Sequence, residues 1–338
     1  MIGIVVFLIS LVFGAGVLVE EPSPATSTTH RTVLQWETLG SYLEVRPGLR
    51  MFYRVVEGTA VREGADQRQD DTLVLIHGFP TSSIDFERAL PLLSNRFQKI
   101  VLFDHPGFGL SDKPTAASDF SYSITEYTDA MLLLLEKLDI SQAHFLGHDM
   151  GDSVLTELAT RQARGLLPCW FKGAQSLTFT NGGMRIELAS FRVSQILLQV
   201  PLLRDLLAAL QNAWFFDRQI RSISGTWDAL PQTDLDTMYA ALLHKNGNYR
   251  LPATISYLQD RYRFQNQRWI PALQQLSAQG LPVHICWGAN DAVAPVSIAH
   301  RLHADLPESK LTILPGLGHF AMLESPTVWA NAILSHGI

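Results

Sequence analysis

The stretch Ala143-His144-Phe145-Leu146-Gly147-His148-Asp149-Met150-Gly151-Asp152-Ser153 decides how this chain is read. A short apolar run ends in Gly-His-Asp-Met-Gly and passes at once into a helical pattern, Val154-Leu155-Thr156-Glu157-Leu158-Ala159. Strand, sharp turn and helix in that order are the setting in which a nucleophile is presented as Gly-x-Nuc-x-Gly, here with Asp149 at the centre. The two glycines have a physical reason. A side chain at Gly147 or Gly151 would crowd the close crossing of strand and helix. The helix that follows directs its free N–H groups toward Asp149, a setting that favours negative charge. The bland alternative is an Asp capping an ordinary helix, and the rest of the chain decides between the two.

Working outward, Thr72-Leu73-Val74-Leu75-Ile76 is a continuous apolar run, as expected of a strand covered on both faces. It leads into His77-Gly78-Phe79-Pro80. A second such run, Lys99–Phe103, leads into Asp104-His105-Pro106-Gly107-Phe108-Gly109-Leu110-Ser111-Asp112. Phe86–Leu93 and Tyr127–Leu138 have helical periodicity. This alternation implies an α/β fold, a mostly parallel sheet with helices on both faces. Before it, Gly40–Val45 and Leu49–Val56 flank Pro47-Gly48 and read as a hairpin, and Glu63–Asp71 reads as a polar surface loop.

The chain has 338 residues, 47% hydrophobic and 17% charged, enough for one large domain with an insertion. A net charge of -6 without a basic run gives no footprint for nucleic acid. Cys169 and Cys286 lie far apart and read as two buried free thiols. No His/Cys cluster has ligand spacing, so neither a metal nor another cofactor is expected. Residues 1–20 are different. Ile2–Val19 is almost wholly apolar or small, and the first charge is Glu20. The run reads as a membrane anchor or uncleaved export signal, with a cytoplasmic chain as the alternative. Residues 21–35, rich in Pro, Ser and Thr, read as a linker.

The set His77-Gly78-Phe79-Pro80, Asp104-x-Pro-Gly-Phe-Gly-x-Ser-Asp112 and Gly147-His148-Asp149-Met150-Gly151 resembles the α/β-hydrolase superfamily from about Trp36 onward. More narrowly it resembles the Asp-nucleophile branch of epoxide hydrolases and haloalkane dehalogenases. Phe79-Pro-Thr-Ser-Ser83, Gly147–Asp152 and Ser176-Leu-Thr-Phe-Thr-Asn-Gly-Gly183 are closest in look to mesoderm-specific transcript-like hydrolases. The resemblance implies a hydrolase core at 36–183 and 270–338, with a helical cap at 184–269. Ser190–Leu210 and Asp234–Leu243 are the expected cap helices, broken at Pro201 and Pro231.

In this fold the orienting acid and the base follow the nucleophile in chain order. Asp291 lies in the loop after the strand Pro282–Trp287, where the family places its acid. His319 lies in Pro315-Gly316-Leu317-Gly318-His319-Phe320, a Gly-rich, mobile-looking loop after the last strand, and is the expected base. Asn181 is the rival orienting residue, but an amide stabilises imidazolium less than a carboxylate does. His77, Gly78, Pro80 and His148 are expected to support the site. Backbone N–H groups of Phe79 and Met150 are the expected oxyanion hole.

A carboxylate at the elbow needs no base to become a nucleophile. It attacks an sp3 carbon, and water activated by His319 then hydrolyses the resulting ester. Dehalogenases of the branch place halide donors where this chain has Met150 and Phe79. Epoxide hydrolases place two tyrosines in the cap. Tyr257 matches the second, while Gly183–Trp214 holds no tyrosine for the first, leaving Tyr239 or Tyr249 as substitutes. The expectation is hydrolysis of a small apolar epoxide to a diol. The alternatives are a haloalkane dehalogenase-type hydrolase or a membrane-associated hydrolase-fold protein without turnover.

Overall fold

The computed structural model describes residues 27–59, 71–115 and 118–335. Eight strands make one sheet: β1 (Ser41–Arg46), β2 (Leu49–Glu57), β3 (Thr72–Ile76), β4 (Lys99–Phe103), β5 (Gln142–His148), β6 (Gly173–Thr180), β7 (Val283–Gly288) and β8 (Lys310–Leu314). Their order is β1-β2-β4-β3-β5-β6-β7-β8. The β1–β2 hairpin turns at Gly48, whose φ is +73, and pairs antiparallel onto β4. All later pairings are parallel. Every residue of β3 and of β7 is buried, which explains their unbroken apolar sequences.

The sheet reverses its winding between β3 and β5, because β4 lies on one side of β3 and β5 on the other. Loops after neighbouring parallel strands part there and leave a crevice at the strand C-termini. Phe79 follows β3 and Asp149 follows β5, so both stand at that crevice.

Two helices precede and follow β5: α2 (Ile124–Lys137) and α3 (Met150–Ala163). Ser123 caps α2 by accepting the Glu126 N–H. The first eleven residues of α3, Met150 to Thr160, are all buried, polar ones included. Its burial on every side explains why it shows only a weak apolar stripe.

The helix α1 (Ser27–Thr38) corrects the linker expected at 21–35 over residues 27–35, residues 21–26 lying outside the described residues. Val33 and Trp36, three apart on one helix face, are buried, and the Arg54 guanidinium lies 4.6 Å from the Trp36 ring centroid. That burial outweighs the Ser/Thr content on which the linker reading rested. The apolar run Ile2–Val19 and most of the loop expected at Glu63–Asp71 lie outside the described residues. Among the described residues no helix is long and apolar enough to cross a membrane.

Between β6 and β7 the chain is helical: α4 (Val193–Leu198), α5 (Arg204–Ala209), α6 (Ala213–Arg221), α7 (Gln232–Leu243), α8 (Tyr257–Phe264) and α9 (Ile270–Ala278). Pro201 falls in the break between α4 and α5, and Pro231 caps α7. Helices α6 and α8 have no counterpart in the sequence expectation. After β7 come α10 (Val296–Asp305) and, past β8, α11 (Pro326–Leu334).

The elbow is packed to contact. A Cβ at Gly151 would lie 2.4 Å from the Ile76 carbonyl oxygen, and one at Gly147 would lie 2.6 Å from the Gly151 carbonyl carbon. Gly151→Ala is therefore expected to destabilise the protein by about 1–3 kcal/mol, read as a lower urea midpoint. An unchanged midpoint would show that the crossing has slack.

Candidate active site

Asp149 has φ 49 and ψ −107, a backbone conformation that L-residues rarely adopt and that is characteristic of functional sites. The residue is 6% exposed and lines a cavity together with Phe79, Pro80 and His319. Its Oδ2 accepts the Phe79 N–H at 2.9 Å. Phe79 and Pro80 are joined by a cis peptide bond. Met150 opens α3, so its N–H has no acceptor within the helix and stands beside the Asp149 backbone.

His319 Nδ1 donates to Asp291 Oδ2 at 2.7 Å, which leaves Nε2 for other work. The Asp291 carboxylate is fully engaged. Oδ1 accepts the N–H groups of Val293 and Ala294, each at 2.8 Å, and Oδ2 also accepts Asn181 Nδ2 at 2.8 Å. Asn181 therefore holds the acid, and the acid holds the imidazole. Burial lowers the His319 pKa, but Asp291 through charge and hydrogen bond, with Asp149 and Glu324, outweighs it and lifts the pKa to about 9. The loop expected to be mobile is pinned: the His319 N–H donates to the Ile223 carbonyl at 2.9 Å, and a Cβ on Gly318 would lie 2.3 Å from Gly225 N. Gly318 serves close contact with the cap, whereas Gly316, with open space around it, supplies a φ of +79.

The supporting histidines are fixed by their partners. His77 Nδ1–H donates to the Gly78 carbonyl at 2.9 Å, and its Nε2 accepts the His105 N–H at 3.0 Å. His148 Nε2–H donates to the His319 carbonyl at 2.9 Å. Burial lowers the pKa of both, so each joins neighbouring loops as a neutral ring. A Cβ on Gly78 would lie 2.5 Å from Asp149 Cβ, so only glycine lets these loops meet.

From the cap, Tyr257 is buried beside Asp149, its ring centroid 6.2 Å from that of Phe79. Burial and the Asp149 charge raise its pKa, so it stays protonated. Tyr239 and Tyr249 are not brought to Asp149. The first donates to the Gln211 carbonyl at 3.3 Å, and the second is half-exposed.

Arg261, which the sequence expectation left without a role, is 2% exposed beneath the elbow. Its Nη2 donates to the Asp149 carbonyl oxygen at 2.7 Å and lies 3.6 Å from Asp149 Oδ1. Its Nε donates to Ser153 Oγ at 2.7 Å, and its guanidinium lies 4.7 Å from the Tyr257 ring centroid. A Cβ on Gly183 would lie 2.1 Å from Arg261 Nη1. Asp152 is its buried neighbour; burial raises the carboxyl's pKa well above the usual range, and Arg261 partly offsets this. One sequence signal was available, since Tyr257 and Arg261 stand four apart and share a helix face.

Residues 73–332 match the family described as alpha/beta hydrolase. The chain belongs to that family. A putative hydrolase, LipZ, of Mycobacterium tuberculosis is 34% identical over 88% of this chain and 98% of its own. The mesoderm-specific transcript protein of Mus musculus is 30% identical over 88% of this chain and 86% of its own. A solved structure titled epoxide hydrolase CorEH superposes with a TM-score of 0.65, at 17% identity over 88% of this chain and 97% of that one.

Within this alpha/beta hydrolase the cavity is of mixed polarity. Leu198, Phe216, Ile220 and Ile223 line it, and so do Arg192, Ser194, Gln211 and Gln219. The cap thus gives the cavity both apolar and polar side chains. Among the described residues no group of three or more His, Cys, Asp or Glu side chains is placed to hold a metal. Cys286 is buried as expected, whereas Cys169 is exposed.

Arg261→Gln removes the only charge of a fork that meets Asp149 and Ser153, leaving buried acceptors without it. The expected loss is roughly 3–5 kcal/mol. Arg261→Lys keeps the charge but cannot form the same fork, and should recover part of that stability. Denaturation midpoints of the two variants check this ranking. Equal midpoints for wild type and Arg261→Gln would contradict it.

Proposed function

We propose that this hydrolase opens epoxides to diols through an alkyl ester on Asp149. The observation that carries the reading is a carboxylate, in place of a hydroxyl, at the elbow, with the Phe79 N–H on one oxygen and the buried Tyr257 beside it. Oδ1, the oxygen not held by Phe79, attacks an epoxide carbon as the ring C–O bond breaks. The ring oxygen takes the Tyr257 proton. Water, deprotonated by His319 Nε2, then attacks the Asp149 carboxyl carbon. The oxyanion is met by the Phe79 and Met150 N–H groups, each such donor contributing about 3 kcal/mol in comparable enzymes. The departing alkoxide takes the proton from His319, and the new Asp149 carboxylic acid returns its proton to the Tyr257 phenolate. Epoxide and water have become diol, and every group has returned to its starting state.

The charge of Asp149 helps to keep the resting His319 pKa near 9. Forming the ester removes that charge, so the imidazole pKa falls as its role as base begins. Protonated His319 cannot activate water. Ester hydrolysis should therefore accelerate as pH rises through the imidazole pKa of the intermediate, and the ester should accumulate on the acid side. Halide release is the less favoured reading. The indole N–H groups of buried Trp269 and Trp287 are spent on Glu157 and the Ala294 carbonyl. The likeness to epoxide hydrolase CorEH supports the epoxide reading at the level of fold alone.

With styrene oxide as substrate, Asp149→Ala should give no diol. His319→Gln should bind one equivalent covalently and stop. Tyr257→Phe should slow ester formation by roughly 10²–10⁴-fold. For wild type, diol formation should rise from pH 6 toward pH 9 (a range spanning the ordinary and the raised imidazole pKa). Diol formation by Asp149→Ala at the wild-type rate would sink the proposal.

A further inference from the structure

Helix α4 carries apolar residues on its outer side as well as toward the cavity. Ser194 and Leu198 face the cavity, while Val193 and Ile196 are half-exposed on the outside. Leu202, at the tip between α4 and α5, is 87% exposed, and Leu206 on α5 is exposed as well. Large apolar side chains gathered on one exposed face mark a surface that meets a partner. On α6, Trp214 is 52% exposed, and on the segment that follows Trp227 is 48% exposed. The Arg218 guanidinium lies 5.1 Å and 5.5 Å from their ring centroids. Indoles with a cation between them, beside exposed leucines, have the chemistry of a surface that meets lipid headgroups.

The path of the chain says what covers this face. Helix α1 packs against α7, which itself packs against α6. The N-terminal sequence therefore joins the folded protein at the cap. Upstream of α1 stands the apolar run Ile2–Val19. Only residues 20–26 separate that run from Ser27, and seven residues span at most roughly 25 Å.

We propose that the outer face of α4, α5 and α6 rests on a lipid bilayer, with the N-terminal apolar run in the same membrane. The cavity that holds Asp149 and His319 then lies one helix away from the lipid. This inference rests on surface and chain path and is independent of the reaction proposed above.

Seven tryptophans are present: Trp36, Trp269, Trp287 and Trp329 are buried, Trp170 is partly buried and lies outside the cap between α3 and β6, and Trp214 and Trp227 are half-exposed on the cap. Trp214 and Trp227 are therefore built-in reporters of contact. The full-length chain is mixed with vesicles of phosphatidylcholine and phosphatidylglycerol whose acyl chains carry bromine, a short-range quencher of indole fluorescence. Flotation measures binding separately. The expected result is quenching in wild type that disappears in Trp214→Phe/Trp227→Phe. Leu202→Asp/Leu206→Asp should weaken the quenching signal about tenfold in lipid concentration, for two leucines withdrawn from apolar contact. A Leu166→Asp control, at an exposed leucine outside the cap, should match wild type. Flotation with quenching that survives loss of both tryptophans would overturn the proposal. So would absence of both flotation and quenching. Concentration-dependent self-association that shields the two indoles without lipid would assign the face to a second copy and overturn it equally.

Discussion

The backbone of Asp149 is held at φ 49 and ψ −107, and much of the molecule serves to keep it there. A non-glycine residue in such a region costs on the order of 1–3 kcal/mol, so its surroundings must over-determine it. They do so from three directions. The crossing of β5 and α3 admits only glycine at 147 and 151. The Phe79 N–H holds the side chain from the β3 loop. Arg261 reaches from the cap to the Asp149 carbonyl and anchors on Ser153 one turn into α3. Core and cap thus share the work of presenting one carboxylate.

Charge balance is the second constraint. Asp149, Asp152, Asp291, His319 and Arg261 are all buried within one region, where an unpaired charge is costly. Asp291 spends its acceptors on two backbone N–H groups, Asn181 and His319. Burial shifts Asp152 toward its neutral form, partly offset by Arg261. The imidazole is tuned by the very carboxylate that the proposed reaction would esterify, so the two half-reactions are linked through one electrostatic contact.

What the sequence made legible follows from the range of its signals. Buried parallel strands are unbroken apolar runs, and the loops after β3, β4, β5, β7 and β8 carry their residues at the strand ends, so Asp149, Phe79, Asp291 and His319 could be named in advance. Tyr257 could be named by resemblance. Arg261 was left without a role, because Arg263 stands on the same helix and only the four-residue spacing from Tyr257 marks Arg261 until tertiary packing buries it. The helix α1 was obscured by its Ser/Thr content, and α6 and α8 by charged residues whose partners lie on other elements, as Asp260 with the Ile124 N–H and Arg261 with Asp149 and Ser153. The polar side of the cavity is built from glutamines and a serine on separate helices, and no periodicity joins them.

Isotope placement separates an ester on Asp149 from direct attack by water. Wild-type enzyme in excess over epoxide is allowed one turnover in H2 18O, and the Asp149 peptide and the diol are then weighed. The ester route puts the heavy oxygen in the Asp149 carboxylate and leaves the first diol unlabelled. Label in the first diol and none in the peptide would contradict a nucleophilic Asp149.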